Sequence, residues 1–372
     1  MLGEPRASGV RVSSPRLGRP FLQMLAQVGV ILYMFLVGLE LNPVYLRRSP
    51  HTALVISRAS ILVPFLLGAV LALGLYPLLS TSDVPFTVFA LFLGVSLSVT
   101  AFPVLARILT ARCLQTTELG VLALTCAAVD DVTAWCLLAF VVSVAQAGSE
   151  HVLTAVALTA AFIIGVFVIV RPVLLRITRQ VEATPGPTSA NALAVIFGLL
   201  LTSALATEWI GIHALFGAFL LGVVIPHNSR LARDLTARLE DLVLVLLLPA
   251  FFAFSGMRTQ IQLVSGAEQW LLCGLILLVA CAGKFGGSAS AARLSGLSWR
   301  SAAALGILMN TRGLVELIVL NIGLDLGVIS PTLFAMLVMM ALVTTFATSP
   351  ILDWITSSER RTAALSPDAA RP

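Results

Sequence analysis

Charge is scarce in this chain. Charged side chains make up 11% of its 372 residues, where an ordinary soluble domain carries roughly 25%. With 58% of residues hydrophobic, too little polar surface remains to clothe a water-soluble globule. Lysine is nearly missing: Lys284 is the only one, and every other basic residue is arginine. Cysteine is sparse and unpatterned. Cys113, Cys126, Cys136, Cys273 and Cys281 form no Cys-x-x-Cys pair and mostly sit inside apolar runs, which argues against a zinc or disulfide framework and reads them as small buried hydrophobes. The net charge of +5 is spread over short loops, so it reads as membrane topology rather than a nucleic-acid-binding face, and no nucleic-acid partner is expected. No soluble nucleotide-binding or regulatory module is legible, and no cofactor is called for. Residues 1–20, rich in Arg, Ser and Pro, lead into a full-length apolar run, unlike the short core of a cleavable signal peptide.

What the chain has instead is a succession of apolar runs near the ~20 residues that span a bilayer as helix. Eleven candidates lie at about 21–41, 52–79, 85–109, 117–146, 152–177, 189–209, 211–226, 239–256, 268–292, 299–322 and 331–355. The expected class is an all-α polytopic membrane protein. Loops after alternate runs carry Arg47 and Arg48, Arg112, Arg171, Arg176 and Arg179, then Arg230, Arg233 and Arg238, and Arg293 and Arg300. The loops between hold Asp83, Glu150, Glu208 and Asp325, with Arg258 the basic exception. Positive charge stays inside, so the basic loops and the polar tail 356–372 are expected to be cytoplasmic; the plasma (inner) membrane is the expected location. The arginines at 6, 11, 16 and 19 do not fit, because eleven spans put the N-terminus outside.

Against that apolar background two adjacent carboxylates stand out, Asp130 and Asp131, in the run from about Val121 to Val144. An ionised side chain at mid-bilayer costs about 2.5–3.5 kcal/mol on insertion scales, so intramembrane acids point to a cation or a proton. Lys284 lies in another apolar run, and a buried lysine titrates readily where arginine stays charged. Neighbouring residues on a helix point about 100° apart. One Asp can therefore pair with Lys284 while the other lines a cavity; a purely structural salt bridge would explain one Asp and not both. Arg312 and Glu316, four apart, can pair on one face and read as structural. Arg107 and Glu40 fall near span ends, and His213 reads as a core residue rather than a proton relay.

Two runs are interrupted. In 85–109, hydroxyls at Ser96, Ser98 and Thr100 precede Pro103, whose missing N–H is expected to free the carbonyls near Val99 and Thr100. In 299–322, Asn310, Thr311, Arg312 and Gly313 break the apolar pattern. Each alone could be an ordinary packed kink. One in each half of the chain is the sequence pointer to an inverted-repeat transporter with its site at the midplane.

The segments 37–41 (VGLEL), 94–107 (GVSLSVTAFPVLAR), 127–132 (AAVDDV), 210–219 (IGIHALFGAF) and 309–318 (MNTRGLVELI) resemble, in order, the monovalent cation:proton antiporter family, most closely its CHX-type branch and bacterial relatives. The resemblance runs from about Leu25 to Ser349 and implies a start at the family's third helix, the first two being expected to lack a counterpart. It implies an inverted-repeat antiporter fold with two crossed broken helices. Core helices would lie at about 52–146 and 268–355, scaffold helices at about 21–41 and 152–256, and the protein would be a homodimer in lipid if the scaffold is intact. It places the transported monovalent cation, Na⁺ or K⁺, on Asp131 with Thr100, in exchange for H⁺, with Asp130 and Lys284 as charge partners. Ser98, Pro103, Asn310, Thr311, Arg312 and Glu316 support that site. The CHX branch usually carries Asn-Asp where this chain has Asp130-Asp131; the Asp-Asp form resembles electrogenic exchangers. No enzymatic residue is expected, since an intramembrane aspartyl protease needs its two Asp on separate helices. The other alternative is a non-transporting fragment or interaction subunit.

Overall fold

The computed structural model describes residues 18–40, 50–81, 84–184 and 186–364. The arginines at 6, 11, 16, 47, 48 and 371, together with Asp83 and most of the N-terminal segment, lie outside the described residues. Among the described residues there is no strand.

Fourteen α-helices follow one another: α1 Gly18–Glu40, α2 Pro50–Leu79, α3 Phe86–Ser98, α4 Phe102–Ala111, α5 Glu118–Gly165, α6 Arg171–Ala183, α7 Ala190–Ile210, α8 Ala214–Val224, α9 Arg230–Asp241, α10 Leu248–Arg258, α11 Gly266–Leu294, α12 Trp299–Met309, α13 Leu314–Asp325 and α14 Pro331–Ala364. Nine helical stretches among the described residues are long and apolar enough to cross a membrane, and the pair α12 and α13 makes a further bent span. The run at 211–226 yields only α8, whose 11 residues extend about 16 Å against a hydrocarbon core of about 30 Å. The expected boundary between the runs at 117–146 and 152–177 is not a break in the helix: α5 continues through it and joins α6 by a π-helical turn, Val166–Val170. Similarly, α9 and α10 are joined by a π-helical turn, Leu242–Leu247.

Packing groups the helices in two sets. The helix α2 lies against α3, α5 and α11, and α11 against α12 and α14, while α1 lies against α8 and α10, and α8 against α7. Gly283 and Gly287 of α11 let it settle onto α2: a Cβ at Gly283 would come 2.9 Å from Pro64 Cα, and one at Gly287 2.9 Å from the Ala59 carbonyl oxygen. Lys284 is thereby carried inward beside α2.

The two interrupted runs are broken helices that touch at their breaks. α3 ends at Ser98, and the chain is extended through Val99 and Ala101 before α4 begins at Phe102. Pro103 therefore does not kink a continuous helix, as the sequence suggests; it occupies the first turn of α4, where no N–H partner is needed. The carbonyls left open are those at the end of α3. α12 ends at Met309 and α13 restarts at Leu314 with a 45° bend. The Ala101 N–H donates to the Thr311 carbonyl at 3.1 Å, and the Thr100 hydroxyl donates to the Met309 carbonyl at 3.2 Å. Gly313 permits the approach: a Cβ there would lie 2.5 Å from Val104 Cγ2 and 3.2 Å from Ala101 Cβ.

Candidate functional site

The crossing leaves helix ends in the interior, and helix ends carry unsatisfied backbone groups and partial charge. The C-terminal end of α3 is negative, and two cations meet it. Arg312 donates from Nη1 to the Ser96 carbonyl at 2.8 Å and from Nη2 to the Leu97 carbonyl at 2.7 Å. Lys284 Nζ donates to the Ser98 carbonyl and, at 3.0 Å, to the Ser60 carbonyl. The positive N-terminal end of α13 holds an acid in its first turn, Glu316, which pairs with Arg312 at 3.1 Å. Thr345 of α14 anchors the turn, accepting from the Arg312 N–H at 3.0 Å and donating to its carbonyl at 2.7 Å.

The two neighbouring carboxylates of α5 meet opposite fates. Asp130 is saturated: Ser57 donates at 2.6 Å, Ser60 at 2.7 Å, Thr100 at 2.9 Å, and Lys284 lies at 3.1 Å. Asp131 is just as buried, at 0% exposure, yet neither oxygen accepts a hydrogen bond from any described residue. Tyr33 of α1 lies within electrostatic reach of it. A buried carboxylate without a donor is the costly exception in protein interiors.

Of the supporting residues, Ser98 turns its hydroxyl back to the Gly94 and Val95 carbonyls at 2.8 and 2.9 Å, so it offers the site its carbonyl. Thr100 donates to Asp130, not Asp131. Thr311 bonds the Leu308 carbonyl at 2.9 Å. Asn310 points its amide nitrogen at Cys281 Sγ, 3.6 Å away, while its Oδ1 has no described donor. Sequence reasoning missed Ser57 and Ser60, although two hydroxyls three apart in an apolar run share one helical face. It also missed Tyr33 and Thr345, which carry no local signal.

The buried charged residues among those described are these five alone: Asp130, Asp131, Glu316, Lys284 and Arg312. Three acids face two bases, so full ionisation leaves the interior one positive charge short. A monovalent cation or a proton closes the balance. Access is one-sided. A cavity of about 720 Å³, lined among others by Glu40, Glu240, Arg107, Tyr33, Arg312 and Gly313, leads inward from the end where α1 and α4 finish. At the other end a pocket of only about 100 Å³ is lined by Val30, His213, Leu215 and Asn321, with Arg258 clasping Asp325 at 2.6 Å and Asn321 at 3.1 Å beside it. His213 itself caps α8.

Broken helices crossed inside an apolar bundle, with charge gathered at the crossing, define an ion-carrier architecture, and comparison with known proteins agrees. The sodium/hydrogen exchanger transmembrane family profile matches residues 6–356. The Na⁺/H⁺ antiporter NhaS4 of Synechocystis is 45% identical over 91% of this chain and 83% of its own length. Cation/H⁺ antiporter 19 of Arabidopsis thaliana is 40% identical over 93% of this chain, which spans 43% of that longer protein. The solved structure of the sodium proton antiporter MjNhaP1 from Methanocaldococcus jannaschii superposes with a TM-score of 0.67 at 14% identity, over 91% of this chain and 85% of the other, a likeness of fold. The chain belongs to the sodium/hydrogen exchanger family.

Proposed function

We propose that this protein is a secondary antiporter that exchanges a monovalent cation, Na⁺ or K⁺, for protons by alternating access, with the ion on Asp131. The observation that carries the reading is the pair of unpartnered Asp131 oxygens beside a saturated Asp130. Cation and proton compete for one carboxylate, so occupancy by one excludes the other, and exchange follows from that exclusion. Asp130 and Lys284 hold the charge balance next to it, and Thr100 fixes Asp130 in place. Ser98, Pro103, Asn310 and Thr311 shape the crossing, while Arg312 and Glu316 neutralise the helix ends. The Asp-Asp arrangement supports electrogenic exchange of more than one proton per cation.

The division into a moving core (52–146 and 268–355) and a scaffold (21–41 and 152–256) is part of this proposal. So are the plasma (inner) membrane, the cytoplasmic C-terminus and a homodimer. The arginine asymmetry supports the orientation, which makes the 720 Å³ cavity the cytoplasmic approach to the site. The alternative of a non-transporting fragment or interaction subunit is not favoured, because the crossing and the buried charge cluster are both in place. The test is pH-gradient dissipation in proteoliposomes on addition of Na⁺, K⁺ or Li⁺. A cation-dependent response in the wild type that vanishes in Asp131→Asn is expected; transport surviving in that variant would sink the assignment.

A further inference from the structure

Four and twelve residues beyond Asp131 on α5 stand Trp135 and Ser143. The step of four puts Trp135 on the face of Asp131, while Ser143 lies two turns beyond Trp135 and about 120° round from Asp131. Both side chains are 2% exposed, and neither the Trp135 indole N–H nor the Ser143 hydroxyl has a partner among the described residues. Polar groups left unpaired in an apolar interior are costly. Asp131, Trp135 and Ser143 mark a path along α5, the first two on one face.

The path runs toward the closed end of the molecule. Across it, the Trp135 ring lies against the Phe219 ring of α8, with centroids 6.1 Å apart. Leu215, one turn earlier on α8, already lines the small pocket at that end. On the facing helix α1, Val30 lines the same pocket, and Tyr33, three residues on, lines the wide cavity and is within electrostatic reach of Asp131. Trp135 and Phe219 therefore occupy the layer between the unpartnered carboxylate and the outer pocket.

We propose that Trp135 is the outer gate of the ion path: its ring closes on Phe219 to seal Asp131 from the outside, and its N–H and the Ser143 hydroxyl line the route once the gate opens. The inference rests on the antiporter reading for its purpose but not for its geometry. A cysteine at Tyr33, which lines the wide cavity on the inner side of Trp135, in a chain whose five native cysteines are replaced by alanine, is labelled from outside with a membrane-impermeant methanethiosulfonate. With the open state a minor population of a few per cent, loss of the seal in Trp135→Ala raises the labelling rate about tenfold. Trp135→Leu, which keeps more of the packing, raises it less. Trp135→Phe keeps an aromatic ring against Phe219 but is smaller and lacks the N–H; its labelling stays well below that of the alanine variant while its half-saturating cation concentration rises severalfold. Labelling of Y33C that is unchanged in both the alanine and the leucine variants overturns the gate. Because labelling needs no transport, a wild type that exchanges nothing would refute the antiporter reading while leaving the gate standing.

Discussion

Asp130 and Asp131 are identical in chemistry and adjacent in sequence, and one helical step of about 100° separates a saturated carboxylate from an unpartnered one. The difference predicts opposite phenotypes. Asp131→Asn abolishes exchange while leaving the melting temperature in detergent near that of the wild type, because no described partner is lost. Asp130→Asn leaves Lys284 charged and buried without its counter-ion, a change that costs about 3–5 kcal/mol. A clear drop in melting temperature is therefore expected, and adding Lys284→Met should recover part of it. A thermal-shift series on the two single variants and the double variant decides this, and equal stabilities across the set would contradict the geometry. Much of this was legible: a carboxylate doublet and a lone lysine inside apolar runs announce themselves. Which Asp takes the lysine was not. That choice is set by Ser57 and Ser60 arriving from α2, seventy residues away in sequence, and by the glycine-lined seam that brings α11 close.

Among the elements, the crossing of the two broken helices holds the most information per residue. Arg312 bridges them as a fork, two nitrogens on two successive carbonyls of α3 and one of these also on Glu316. Lysine cannot reproduce that planar geometry, so Arg312→Lys is expected to lower both exchange and thermal stability despite keeping the charge. Gly313→Ala should damage transport with little change in expression, since its Cβ would press on Val104 and Ala101; exchange rates near wild type in that variant would mean the breaks can separate. The broken spans were visible as polar and proline interruptions. The role of Pro103 was not, because the sequence pattern does not say whether a proline kinks a helix or starts one. The boundary between the fourth and fifth apolar runs was equally hidden: a polar stretch suggested a loop, and α5 spans it as helix.

For the whole molecule, the unequal cavities define a state. The site is approached from the end carrying Arg107 and shut at the end carrying Asp325. A cysteine at Phe346 or Leu248, which line the wide cavity, is expected to react with reagents supplied on the cytoplasmic side, and one at Leu215 only slowly from the opposite side. The reverse pattern would invert the assigned orientation. The charge asymmetry of the loops suggested that orientation from sequence alone. The sizes of the cavities could not be read there, since they depend on how the set of α1 and α8 leans on the set of α2 and α11.

The solitary lysine has a practical consequence. Its ammonium is fully buried, held by Asp130 and two carbonyls, so apart from the terminal amine this protein presents almost nothing to acylating reagents. Any covalent adduct found at residue 284 by mass spectrometry would record an episode in which the interior became wet. The native polypeptide thus carries its own probe, and comparing adduct yield with and without Na⁺ or K⁺ would follow the opening of the site with no mutation at all.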